Sequence, residues 1–130
     1  MSQEVDYLNL EDLLGLVRVL QAGPVRDLGL LEGCVGRPRS SAFGVDAYPG
    51  VPSKAAALLH SIARTHPLVD GNKRLAWLSA VVFLDINGWT VELSDDEAFD
   101  LVMDVAAHDY EVVDLAPRLR AVPNVKRVKD

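Results

Sequence analysis

The sequence predicts an all-α fold, a compact helical bundle around a buried central helix at about residues 72–87, with at most one small β-hairpin. Three observations carry this expectation. Apolar residues recur at helical spacing in several segments. The run Leu75-Ala76-Trp77-Leu78-Ser79-Ala80-Val81-Val82-Phe83-Leu84 is apolar at nearly every position, as in a helix buried on all sides. Helix-starting and helix-ending residues bracket each of these segments.

Leu8 to Leu20 reads as the first helix, with Asn9 as its cap, Leu10, Leu13, Leu14 and Val17 on one face, and Gly23-Pro24 ending it. Asp27 to Val35 is a short second helix, weakened by Gly29 and Gly33. Gly36 to Pro52 is rich in Gly, Pro and Ser and reads as loop, with room for a hairpin around Phe43 to Tyr48. A third helix starts at Pro52 or Ser53 and buries Ala55, Leu58, Leu59, Ile62 and Ala63. It ends near His66, because Pro67 disfavours helix in the residue before it. The fourth runs from Asn72 to about Asn87 and is stopped by Gly88. Trp89 to Glu92 is extended. Ser94 caps a fifth helix to about Ala107, with Asp95, Asp96 and Glu97 suitably placed in its first turn. The last helix covers roughly Val112 to Ala121 and is limited or kinked by Pro117. One domain over 1–122 followed by a flexible tail over 123–130 is the expected organisation.

At 130 residues and 49% hydrophobic content, one domain can build a core without staples. Cys34 is the single cysteine, so no internal disulfide forms, which suits a reducing compartment. The opening Met1-Ser2-Gln3-Glu4 lacks the features of a signal peptide, and the longest apolar run is too short to span a bilayer. The expected location is the cytoplasm, without a membrane partner. A net charge of −6 argues against a general nucleic-acid binder, so any anionic ligand must be attracted locally.

The stretch that can do so is His66-Pro67-Leu68-Val69-Asp70-Gly71-Asn72-Lys73-Arg74, with Arg64 just upstream. It places an imidazole, a carboxylate, an amide and two cations in a tight loop feeding the N-terminus of the apolar helix. Such a terminus offers free backbone N–H groups and a positive dipole end, a natural anion site. Asn72 is a good cap there. Lys73 and Arg74 have the wrong sign for a helix start, and make most sense if an anion sits with them. Each residue alone has a plainer reading: His66 as a helix C-cap, Asp70 and Gly71 as turn residues, Lys73 and Arg74 as a solvated turn. A metal triad of His60, His66 and Asp70 lacks zinc-ligand spacing, and His108 reads as a cap or surface residue.

Together the motif resembles the signature of the Fic/Doc family, His-Pro-Phe-x-Asp/Glu-Gly-Asn-Gly/Lys-Arg, and most closely the death-on-curing (Doc) branch. Lys73 matches that branch, as does the long apolar helix ending in Asn87-Gly88. Leu68 replaces the usual Phe. The resemblance implies His66 as the base that deprotonates a target hydroxyl, Asp70 as the Mg²⁺ ligand, and Gly71, Asn72, Lys73 and Arg74 as the groups that hold the phosphates of ATP. Lys in the Gly/Lys position implies an inverted nucleotide and transfer of the γ-phosphate, that is, a protein Ser/Thr kinase acting on elongation factor Tu. Phe43 to Tyr48 falls where the family has its target-docking flap. Leu28 stands where a built-in inhibitory helix would need Ser or Thr, so inhibition is expected from a separate antitoxin. The alternatives are an adenylyltransferase that tolerates Lys73, and an inactive helical binding module.

Overall fold

The computed structural model describes residues 4–124. Six helices and two small antiparallel sheets follow in the order α1 (Leu10–Leu20), α2 (Leu28–Gly36), β1 (Ser41–Ala42), β2 (Val45–Asp46), α3 (Val51–Thr65), α4 (Asn72–Ile86), β3 (Trp89–Val91), α5 (Asp95–Ala107), α6 (Val112–Leu115) and β4 (Ala121–Pro123). Short 3-10 turns follow α2 at Arg37–Arg39 and α6 at Ala116–Leu119. No helix among the described residues is long and apolar enough to cross a membrane.

The helix starts show why these segments fold where they do. In α1 the Asn9 side chain accepts from the Asp12 amide at 2.9 Å, while the Asp12 carboxylate accepts from the Asn9 amide at 2.8 Å. Ser94 and Glu97 repeat this reciprocal cap on α5, at 3.1 and 2.9 Å. Pro52 lies in the first turn of α3, where its missing N–H costs nothing, so this helix begins at Val51, slightly earlier than expected. The break expected at Pro117 is present, since the chain changes from α6 to a 3-10 turn before it.

The core is built on α3 and α4, which pack along each other and share the most extensive contact between elements. Burial is graded across the two. On α3, Val51, Ala55, Leu58, Leu59, Ile62 and Ala63 are all buried. On α4 one face is buried, through Leu75, Ala76, Ser79, Ala80, Phe83 and Leu84, while Trp77, Leu78, Val81 and Val82 are half-buried. The apolar run of α4 therefore covers two unequal faces instead of being enclosed evenly, because α1, α3 and α5 pack on part of its circumference.

Two features were not foreseen. A second sheet forms where Trp89, Thr90 and Val91 pair with Pro123, Val122 and Ala121. Pro123 and Asn124, assigned to the tail from sequence, are thus part of the fold, and the Asn124 amide donates to Gly88 O at 2.8 Å. Residues 125–130, with the basic stretch Lys126-Arg127-Val128-Lys129, lie outside the described residues. The second feature is Lys54, buried at 1% exposure, whose Nζ donates to Tyr48 O at 2.7 Å and to Asp46 Oδ2 at 3.1 Å. It ties the β1–β2 hairpin to α3. The hairpin itself falls in the predicted place, with the Phe43-Gly44 turn at positive φ and all four strand residues exposed.

Candidate active site

The six-residue link between α3 and α4 brings the motif together. His66 is the C-cap of α3, in the left-handed region at φ 55°, ψ 62°, and its side chain is exposed. Pro67 and Leu68 turn inward. Leu68 is only 1% exposed and belongs to the core cluster, so the aliphatic side chain in the usual Phe position still anchors the loop. Val69 and Asp70 then return to the surface.

Asn72 differs from expectation. The N-cap of α4 is Gly71, not Asn72, which is the first helical residue. The Asn72 side chain instead clamps the loop: Oδ1 accepts from the Leu68 amide at 2.8 Å, and Nδ2 donates to Leu68 O at 2.9 Å. A carboxamide is the one side-chain type of this length that presents a donor and an acceptor side by side. The side chain is thus engaged with the loop, and the backbone N–H of Asn72 has no acceptor among the described residues.

Gly71 has two reasons to be glycine. Its φ of +92° is disfavoured for any L side chain, and a Cβ there would meet Ala22 Cβ at 2.5 Å. Leu75 is the first residue of α4 to donate to a backbone carbonyl within the turn, reaching Gly71 O at 2.9 Å. The amides of Asn72, Lys73 and Arg74 have no acceptor among the described residues, and they point out of the positive end of the helix.

His66, Val69, Asp70, Gly71, Asn72, Lys73, Arg74 and Phe99 line one open cleft of about 400 Å³. All six residues singled out from sequence are thus brought together. Arg74 donates from Nη1 to Leu20 O at 3.1 Å, and its Nη2 lies 3.7 Å from Asp70 Oδ2. Both side chains remain largely solvated, so this pair contributes little to stability. Lys73 has no hydrogen bond or ion pair among the described residues, and neither does the His66 imidazole. Arg64 does not join them. Its guanidinium caps the end of α5, donating to Ala106 O, His108 O and Asp109.

Phe99, 65% exposed on α5, was missed. The sequence did carry the signal: Ala98, Leu101, Val102 and Val105 form the buried stripe of that helix, and Phe99 lies off it among acids. Beside the cleft, Lys73, Arg74, Trp77, Phe99, Val102 and Met103 border a smaller apolar recess of about 250 Å³.

The larger cleft of about 830 Å³, lined by Arg37, Tyr48, His60, Tyr110 and Arg120 among others, shares no residue with the motif. Its cations are already engaged, Arg37 with Tyr48 and His60, and Arg120 with Glu97. Burial, and next the Arg37 guanidinium, hold the His60 imidazole below its usual pKa. His60 lines this cleft and not the one formed by the motif, and His108 caps α5 as the plainer reading had it.

The single carboxylate of Asp70 matches Mg²⁺, which usually takes one or two protein carboxylates and completes its shell with water and phosphate oxygens. No group of three or more His, Cys, Asp or Glu able to hold a metal by itself occurs among the described residues. Asp70 is the one carboxylate lining the motif's cleft and so the residue there that could hold such a metal.

A family model described as the Fic/DOC family matches residues 6–84. A curated protein of Mycolicibacterium smegmatis, Toxin Doc, is 47% identical over 118 residues, covering 88% of this chain and 91% of that protein. The family match takes in α1 to α3, the motif loop and α4 as far as Leu84, and the chain belongs to the Fic/Doc family.

Proposed function

We propose that this chain is a Doc-type toxin, a protein Ser/Thr kinase that passes the γ-phosphate of ATP to a translation factor in the cytoplasm, elongation factor Tu by family analogy. A separate antitoxin restrains it. One observation carries the reading: a free imidazole, three unpaired helix amides and an unpartnered lysine face one cleft. The name of the M. smegmatis relative supports the toxin assignment.

In this mechanism the phosphates of ATP lie against the amides of Asn72, Lys73 and Arg74, where the helix dipole and two cations favour negative charge. Lys73 contributes a point charge. Arg74, held in place by Leu20 O and still about half exposed, offers its remaining N–H groups to phosphate oxygens. Asp70 would hold Mg²⁺, which supplies charge neutralisation across the phosphate oxygens. A target hydroxyl oxygen forms a bond to the γ-phosphorus as the bond from phosphorus to the β–γ bridging oxygen breaks. The hydroxyl proton goes to His66, and ADP leaves. A base so placed contributes roughly 10²- to 10⁴-fold, and phosphoryl transfer needs little else beyond positioning and charge stabilisation. The β1–β2 hairpin presents an unpaired, exposed edge suited to strand addition by an extended target segment.

The test is incubation with elongation factor Tu and ATP labelled at either the α- or the γ-phosphate. The expected result is γ-label on the target and none with His66→Ala. Label from the α-position would replace the kinase reading with adenylyl transfer. A His66→Ala protein that arrests growth as strongly as its parent would point to the binding-module alternative.

A further inference from the structure

We propose that Arg26, in the segment joining α1 to α2, is the positioning residue for His66. The inference rests on His66 acting as the base proposed above. His66 occupies a left-handed backbone conformation, uncommon for a residue with a side chain, in which a contact to its peptide can act as a constraint. Arg26 supplies that constraint from behind the cleft. Its Nε donates to His66 O at 2.8 Å and its Nη2 to Thr65 O at 3.0 Å, so one planar guanidinium spans the carbonyls of the last residue of α3 and of its C-cap. These carbonyls form the negative end of the helix, and Arg26 has no ion pair among the described residues to divert its charge.

The backbone around Arg26 is fixed against the same loop. The amides of Arg26 and Asp27 both donate to Pro67 O, at 2.7 and 3.1 Å. Val69 donates to Pro24 O, Gly23 donates to Asp70 O, and Val25 bridges Leu68. Asp27 in turn caps α2 through the Leu30 amide, which roots the segment in the bundle. Those links do not depend on the side chain of residue 26. Among the described residues, Arg26 is the one side chain of this segment that hydrogen-bonds to Thr65 or His66. Its removal therefore leaves the loop docked and the His66 carbonyl without this donor, while the His66 amide keeps its bond to Ile62 O at 3.3 Å. Lysine substitutes only in part, because its ammonium lacks the planar fork whose separate Nε and Nη2 donors each meet one carbonyl here.

The experiment uses the full chain as parent, Arg26→Ala and Arg26→Lys, with ¹³C/¹⁵N-labelled histidine. It reads the His66 ring and Cα resonances together with γ-phosphate transfer kinetics. In Arg26→Ala the His66 signals should shift and broaden while those of His60 and His108 stay in place. kcat should fall by about tenfold to a hundredfold, with KM for ATP within about twofold. Arg26→Lys should recover only part of both readouts. His66 signals and kcat that match the parent in Arg26→Ala overturn the proposal, as does a raised KM with kcat unchanged, which would make Arg26 a nucleotide-binding group. If the parent transfers no phosphate, the kinase reading falls, and the His66 signals alone decide Arg26. If Arg26→Ala does not fold, Arg26→Lys and Arg26→Gln decide by the same readouts.

Discussion

Replacing Gly71 with alanine tests the packing that shapes the motif loop. Two costs arise, and the structure separates them. The first is conformational, since φ is +92° and an L side chain in the left-handed region costs about 1–2 kcal/mol. The second is steric, because the new Cβ would lie 2.5 Å from Ala22 Cβ and 3.0 Å from Arg74 Nη2. The arginine tip can swing away, but the alanine methyl can yield only by moving backbone. Forced overpacking of this kind costs about 1–3 kcal/mol. The sum, roughly 2–5 kcal/mol, is a large share of a typical domain's 5–15 kcal/mol. At this chain length it lowers Tm by about 8–20 °C. Two controls make the reasoning exposed to failure. Gly44 has φ +77° with nothing within 4 Å of a built Cβ, so Gly44→Ala should show the conformational part alone. In an Ala22→Gly background the steric part disappears, and Gly71→Ala should then cost only about 1–2 kcal/mol. Urea denaturation of the four proteins in that cycle gives the coupling directly. An equal cost of Gly71→Ala in both backgrounds would refute the proposed contact between Gly71 and Ala22.

Further outcomes follow from the same site and from the far end of α5. Asn72→Ala removes both bonds to Leu68 and should cost about 1–3 kcal/mol in chemical denaturation. Asn72→Asp keeps the acceptor and should lose about half as much; equal losses would count against the two-bond clamp. Lys73→Gly should shift labelling of the target from the γ- towards the α-phosphate of ATP, and undiminished γ-transfer would remove Lys73 from the account of the reaction. The carboxyl of Asp104 is held at about 2, below its ordinary 3.8, chiefly by its hydrogen bond to Arg118 and next by that from Tyr110. A depressed carboxyl stabilises the fold above 3.8 and loses that contribution as pH falls towards about 2. Thermal melts across that window should therefore decline less steeply for Asp104→Asn than for the parent, and parallel slopes would contradict the assignment.

Local chemistry explains which features could be read from sequence. Asn9, Ser94 and Gly88 act within one turn of their own position, so the caps and stops of α1, α5 and α4 were visible without coordinates. The six motif residues were legible for a similar reason: spacing alone put them on one helix end, one loop and the next helix start. Asn72 was misread because Asn at a helix start usually accepts from an amide ahead of it, whereas here the Leu68 backbone behind it offers both a donor and an acceptor. The β3–β4 pairing joins residues some thirty positions apart, and strands of three residues carry too little alternation to announce themselves. Lys54 lies on the buried stripe of α3 with Val51, Ala55 and Leu58, a lone charge at an apolar register, and its partners on the hairpin could not be named in advance. The backing of the motif by residues 23–27 depends on tertiary contact alone.

The attachment of the β1–β2 hairpin by Lys54 has a consequence for how the protein can change. The ammonium group engages a main-chain carbonyl at Tyr48 and one carboxylate at Asp46, while Ser41, Ala42, Phe43 and Val45 make no claim on the interior. The foundation is thus separate from the part that meets solvent. Substitutions of the exposed side chains Phe43 and Val45 should therefore cost folding little, whereas Gly44, at positive φ, and the motif loop between α3 and α4 are held by their backbone geometry.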